Sequence, residues 1–319
     1  MKRRRAGCLA GVGVIALCAF LGCASSPPPA PAEPQPGPWL AQVASLRQQG
    51  DHWLMRGDPS RATEAYEAAR RLAESLDDRK SLVGTLNDLG RVALSRGDSV
   101  RAITSHGRAL ALARDLGASD LLLESMAGLG TAEQQAGDHE ASERLYQEAL
   151  ALAQQLGEQS TEATLRNNLG LLRQANGDLE QATQLFRQAM ALNQVIGNLA
   201  SEASNHVNLG MVAESRQAYD TAELEFQRAL ELDKAAEHRA GIAADLVRLG
   251  RIADRRGFPD RGLALFERAS HSYLAQGDRA GAAAALTDAL ACARKLGHEP
   301  DIARVERGLK QLPGPASAK

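Results

Sequence analysis

Residues 158–197 read EQSTEATLRNNLGLLRQANGDLEQATQLFRQAMALNQVIG, and how these forty residues are read decides the fold. Ala182, Phe186 and Ala189 stand at relative positions 0, 4 and 7, so a small residue, a ring and a second small residue share one helix face. The ring fills space, and the alanines let a partner helix come close. Ahead of them, Gly177-Asp178 marks a break: the glycine ends one helix, and the aspartate caps the free N–H groups of the next. Gln181, at the third helical position after that cap, comes close to a capping box. The stretch predicts one helical hairpin, with a first helix over about 158–176 and a second over about 178–195.

The same words recur in both directions. Leu-Gly stands at 89–90, 129–130, 169–170, 209–210 and 249–250, always forty residues apart. Counted from each of these glycines, position +12 is Ala102, Ser142, Ala182, Ala222 or Gly262. Position +16 is His106, Tyr146, Phe186, Phe226 or Phe266, and position +19 is Ala109, Ala149, Ala189, Ala229 or Ala269. The frame extends back to Gly50, Gly57-Asp58, Ala62, Tyr66 and Ala69. Forward, it passes Gly277 to a worn unit with Leu290 in the glycine slot and Gly297 as its turn. Asp58-Pro59 joins a cap to proline at the first helical position, where no N–H is missed, and Phe258-Pro259 repeats the proline without the cap. No segment reads as a strand. Five clear units and two worn ones over residues 39–311 predict an all-α, right-handed superhelical solenoid of stacked antiparallel hairpins, fourteen helices with no single central core.

The glycine, the small residue at +12, the ring at +16 and the alanine at +19 resemble the tetratricopeptide repeat. The usual unit has 34 residues; the longer one here resembles the variant of scaffold and motor-adaptor proteins, with phrases such as Ala-Leu-Ala-Leu-Ala-Arg-Asp-Leu-Gly at 109–117. Two places depart from the family pattern. The early aromatic of the first helix is replaced by Leu86, Met126, Arg166, His206 and Leu246, and Gln217-Ala218 stands where Gly-Asp is expected.

Residues 1–38 set an address. Lys2, Arg3, Arg4 and Arg5 precede an apolar run from Ala6 to Leu21, the pattern of a bacterial export signal over residues 1–22. Phe20-Leu21-Gly22-Cys23 resembles a lipoprotein signal, which implies cleavage before Cys23 and a lipid on its sulfur. In that family Ala24, rather than Asp, implies the outer membrane, with the solenoid facing the periplasm. An uncleaved inner-membrane anchor and a secreted protein are the other readings. Seven prolines between Pro27 and Pro38 make residues 23–38 a stiff extended tether, and residues 312–319 read as a frayed tail. Loss of residues 1–22 removes four basic side chains and no acidic ones, so the formal −2 of the full chain becomes −6. That excludes a general nucleic-acid binder, which needs a basic face. Of four cysteines, Cys8 and Cys18 leave with the signal and Cys23 takes lipid, so Cys292 is left as a small apolar core residue.

No pattern carries chemistry. The seven histidines are scattered without His-Glu-x-x-His, His106 occupies a ring slot, and His298-Glu299 is a loop pair. Gly128-Leu129-Gly130 is the repeat's own glycine with a small neighbour, not a nucleotide loop. No metal, cofactor or catalytic residue is expected. The resemblance implies that the first helices form a concave wall from positions −3, −2, +1, +4 and +5 around each glycine. Those positions hold Asn87, Asp88, Arg91, Gln134, Asn167, Asn168, Gln174, Asn208, Arg248, Arg251, Asp254 and Arg255. Amide side chains can bond both groups of an extended peptide, and arginine can clamp a carboxylate; the plain alternative is a solvated helix face. The expected protein is a monomeric, lipid-anchored scaffold that binds a protein or peptide and assists an envelope, pilus or secretion assembly. One rival is a wall-acting or polysaccharide-acting hydrolase using the groove, with carboxylates such as Asp88 or Glu214 as acid and base. Another is a passive, self-associating envelope component.

Overall fold

A computed structural model describes residues 37–312, and within them the chain is helical from Pro38 to Gln311. Seven hairpins follow in order: α1 (Pro38–Met55) with α2 (Pro59–Ser75), α3 (Arg79–Ser95) with α4 (Ser99–Leu116), α5 (Ser119–Ala136) with α6 (His139–Leu156), and α7 (Gln159–Ala175) with α8 (Leu179–Ile196). Then come α9 (Leu199–Ser215) with α10 (Tyr219–Ala235), α11 (Arg239–Arg255) with α12 (Pro259–Ala275), and α13 (Arg279–Leu296) with α14 (Glu299–Gln311). Each helix packs on the next, and the odd-numbered helices from α1 to α9 also touch one another in succession. The stack is thus a right-handed solenoid that curves with its first helices inside.

The forty-residue metre has a steric cause. A methyl group added at Gly50, Gly90, Gly130, Gly170, Gly210 or Gly250 would fall 2.4 to 2.8 Å from the ring of Tyr66, His106, Tyr146, Phe186, Phe226 or Phe266, respectively. The glycine is therefore the floor on which the partner ring rests, and burying such a ring contributes about 1.5–3 kcal/mol. The last hairpin confirms the coupling: Glu306 stands where the ring would be, and Leu290 is free to replace the glycine. Ala62, Ala102, Ala182 and Ala222 are all fully buried, Ala182 in one core cluster with Leu209 and Val212 of the next hairpin.

The turns follow the same logic. Asp58, Asp98, Asp138, Asp178 and Asp278 each accept an N–H from the first turn of the following helix, as do Asp78 and Asn198. Phe258 starts α12 with no side-chain cap, only Pro259. Gln217-Ala218 keeps the turn of its relatives: Gln217 takes the left-handed conformation at φ 59°, and the Ala218 N–H reaches the Ala213 carbonyl at 2.9 Å. An L-residue there pays a penalty that the glycines at 97, 137 and 177 avoid.

His106 lies buried in its ring slot, as expected, and burial lowers its imidazole to about 4. Cys292 is buried against Gly262, its thiol raised to about 11 chiefly by burial. The expected signal peptide, Cys23 and the tether up to residue 36 lie outside the described residues. Among those described, no helix is long and apolar enough to cross a membrane.

Candidate functional site

The inner wall is built by the solvent-facing side of the odd-numbered helices, and its side chains sort into three zones. In the first, Arg47 of α1 donates to Asp88 of α3 at 2.6 Å, and Arg91 reaches both Asp88 at 2.9 Å and Asp51 at 2.7 Å. The Tyr66 hydroxyl donates to Asp51 at 2.7 Å from beneath. Asp88 is buried, and burial raises its carboxyl above the ordinary range while Arg47 and Arg91 pull it back. Asn87 does not face the groove. Its amide donates to Ser125 Oγ at 3.0 Å, its carbonyl meets His106 Nδ1 at 3.1 Å, and the side chain is buried. That placement corrects the expected wall, since a first-helix position beside the ring slot is drawn inward when the ring is a histidine needing an acceptor.

The middle zone, over α5, α7 and α9 as far as Met211, carries no charge at the wall positions; Glu214, the next wall position of α9, belongs with the third zone. Gln134 accepts from the Tyr146 hydroxyl at 3.1 Å, and Thr131 shares that hydroxyl at 3.0 Å. Asn167 accepts from Asn205 at 3.0 Å and from Asn208 at 2.7 Å, a buried amide ladder extended by Asn193 to Asn205 at 2.8 Å. Asn168 and Gln174 are half-buried beside Leu171, and Met211 is exposed. Between α5 and α7 the surface deepens into an open pocket of about 520 Å³ lined by Leu123, Glu124, Ala127, Leu156, Thr161 and Thr164. Burial in this concavity, reinforced by the charge of Asp88, raises the Glu124 carboxyl.

The third zone is charged again and fully paired. Arg255 donates to Glu214 at 2.5 Å, Arg251 to Asp288 at 3.3 Å, and Lys295 to Asp254 at 2.6 Å. Arg248 folds onto Asp245 of its own helix at 2.9 Å. The arginines expected to await a carboxylate therefore already hold one, and all but Arg248 tie one hairpin to its neighbour. Arg47, Asp51, Asp288 and Lys295 are the partners the sequence reading missed, and Glu214 was named there only as a hydrolase carboxylate. A signal for them existed: Arg47–Asp88, Asn167–Asn208, Glu214–Arg255 and Asp254–Lys295 are each separated by 41 residues, one repeat plus one position.

Asp88 and Glu214, the two carboxylates named as examples in the hydrolase reading, stand three hairpins apart and do not form a pair, each being held by arginine. Among the described residues no three His, Cys, Asp or Glu side chains gather in a metal-binding arrangement. His298 stands just before α14 without capping it, and its Nδ1 meets Asp301 at 2.6 Å.

The tetratricopeptide repeat family model matches residues 81–155, 121–194 and 160–235 in overlapping register. Over those residues the chain carries tetratricopeptide repeats, and its fold is a tetratricopeptide-like solenoid. Among solved structures it is similar to BtubC (BKLC) from P. vanneervenii, at 22% identity and a TM-score of 0.57 over 76% of this chain and 93% of that one. It is also similar to a Rap protein complexed with competence and sporulation factor, at 17% identity and a TM-score of 0.64 over 86% and 75%. A third is the Rap conjugation gene regulator of plasmid pLS20 in complex with the Phr peptide, at 15% identity and a TM-score of 0.55 over 87% and 78%. At these identities the likeness is one of fold. No curated protein matches the sequence. The tetratricopeptide-repeat solenoid thus accounts for the metre, the glycine–ring pairs and the placement of the wall.

Proposed function

We propose that the chain is a lipid-anchored scaffold of the cell envelope whose inner wall holds an extended segment of a partner protein. The uncharged middle zone carries this reading. Thr131, Gln134, Asn168, Leu171, Gln174 and Met211 offer amides and apolar surface between two zones closed by ion pairs, which suits a peptide backbone better than a charged ligand. Gln174 has no hydrogen-bond partner among the described residues, so its amide is available to a ligand. Two Rap proteins with this fold were solved in complex with competence and sporulation factor and with the Phr* peptide, which supports a peptide or protein partner for this chain. Photo-crosslinking in cells from Gln135, Gln174 and Met211 should trap one partner reproducibly, and Gln147 and Gln184 on the outer helices should not. Equal capture from both faces, or none from the wall, refutes the reading.

The anchor rests on Met1 to Cys23. Cys23→Ala should abolish fatty-acid labelling and release the chain from the membrane fraction, and membrane attachment unchanged in that variant counts against lipidation. In the same scheme Ala24 favours the outer membrane, to be checked by density separation of the two envelope membranes.

A further inference from the structure

Every joint between hairpins contains the same two slots, one near the end of an even-numbered helix and one on the next odd-numbered helix, both buried at every joint but the last. They hold Ala73–Thr85, Ala113–Ser125, Ala153–Leu165, Asn193–Asn205, Asp233–Asp245 and Tyr273–Ala285. At the α8–α9 joint the amides satisfy each other, Asn193 donating to Asn205 at 2.8 Å. At α10–α11 the same slots hold two carboxyls, both buried, and Asp245 has no accessible surface.

Two carboxylates cannot replace two amides without a proton. Asp245 Oδ1 accepts from Arg248 at 2.9 Å, whereas its Oδ2 is buried without a donor, and Asp233 is close enough to act on the Asp245 carboxyl. The other groups around the pair are few. His238, at the head of α11, meets Asp233 Oδ1 at 3.1 Å. The apolar core in this part of the stack takes Ala269, Tyr273 and Ala285 from α12 and α13, of which Tyr273 alone titrates. On α9 the slot that Asn167 fills for Asn205 and Asn208 is held by apolar Val207 for Asp245 and Arg248. Gly241 completes the accommodation, since a Cβ there would fall 1.6 Å from Asp233 Oδ2.

We propose that the α10–α11 joint is a proton-dependent seam, closed when one proton bridges Asp233 and Asp245 and loosened when that proton passes to water. In the closed form Asp245 Oδ2–H donates to the Asp233 carboxylate, reproducing the amide bond of the preceding joint. In the open form two like charges share a dry site, with one arginine to serve Asp245 and a half-exposed histidine to serve Asp233. Burial lifts the Asp245 carboxyl from an ordinary 3.8 to about 7, with Arg248 lowering it and Asp233 raising it. The folded joint thus binds a proton that the unfolded chain has released, so its stability is complete in acid and is lost as pH rises through about 7. The seam lies between the uncharged middle of the wall and its charged third zone.

The solenoid contains its own control, because the α8–α9 joint has the same slots filled by groups that do not titrate. Hydrogen exchange on the full chain, corrected for intrinsic pH dependence, should show α10–α11 amides losing protection by about tenfold between pH 6 and 8 relative to α8–α9. Asp233→Asn with Asp245→Asn should remove that difference. Infrared difference spectra of the unaltered chain should show a protonated carboxyl band that disappears over the same range and is missing from Asp245→Asn. Parallel exchange at the two joints, a pH difference that persists in the double variant, or no titrating carboxyl band would overturn the proposal. The last of these decides it even where the double variant does not fold.

Discussion

Replacing Gly210 with alanine places a methyl carbon 2.5 Å from Cε1, 2.8 Å from Cδ1 and 3.0 Å from Cζ of Phe226, a ring with no exposed surface and no room to retreat. Two effects oppose each other. Alanine in a helix interior is favoured over glycine by about 1 kcal/mol, whereas forcing a methyl into a filled core costs about 1–3 kcal/mol. Gly107, in the interior of α4, separates them, because a Cβ there meets nothing within 4 Å. Gly107→Ala therefore collects the propensity gain alone, and the difference between the two variants isolates the steric term. Urea unfolding of the full chain should place Gly107→Ala above the unaltered protein and Gly210→Ala below Gly107→Ala by about 1–3 kcal/mol. Because a repeat array is held by neighbour contacts, hydrogen exchange in α9 and α10 should localise the loss. Combining Gly210→Ala with Phe226→Leu, which shortens the group above the glycine, should recover about 1 kcal/mol relative to additivity. If both glycine variants stabilise equally, or the double variant is additive, the glycine–ring account of the metre is wrong.

Ala182 is fully buried against α7, so Ala182→Leu should lower stability by about 1–3 kcal/mol; equal melting temperatures for it and the exposed control Gln184→Leu would show the helix phase to be misassigned. His106, buried and lowered to about 4, favours folding above its unfolded value of 6.5, and that contribution is lost as pH falls from 6.5 toward 4. His106→Tyr, the residue that Tyr66 and Tyr146 place in the same slot, should flatten the acid limb of a urea-midpoint profile, and a limb unchanged from the parent would rule out this histidine as its source. Gln217→Gly removes a left-handed L-residue at φ 59° and should raise stability by up to about 1 kcal/mol, read as a higher urea midpoint, whereas Gly177→Gln should do the reverse.

The fold was legible because its determinants are local and repeated. Gly170 and Phe186 are sixteen residues apart within one hairpin, so a single unit contains the whole steric argument, and copies of it remove ambiguity. Asp178 and Gly177 likewise declare a turn without reference to anything distant. The site was less legible because a polar residue on a first helix has two destinations that the sequence does not separate. Asn87 and Asn167 occupy the same repeat position, yet Asn87 is recruited by His106 and Ser125, while Asn167 accepts from Asn205 and Asn208. Each choice depends on which side chain lies one repeat away, not on the residue itself. The acid pair at Asp233 and Asp245 was hidden for a related reason, since neither aspartate breaks any local rule of its helix.

The ion pairs of the wall differ in what it costs to open them, and this bears on which end a ligand can use. Arg47 and Arg91 both serve Asp88, which is buried; taking them away strands a charge in a dry site, at about 3–5 kcal/mol for a broken buried pair. Arg251 and Arg255 are more than half exposed, and their partners Asp288 and Glu214 keep access to water. Pairs of that kind contribute about 0–1 kcal/mol, so an incoming carboxylate can exchange with Asp288 or Glu214 at small cost. A partner segment with an acidic end should therefore lie with that end toward α11, its uncharged portion across α5 to α9. The reverse orientation would have to displace the buried Asp88 from its two arginines. The same difference predicts that added salt weakens the α11 end of the complex first, because exposed pairs are screened and buried ones are not.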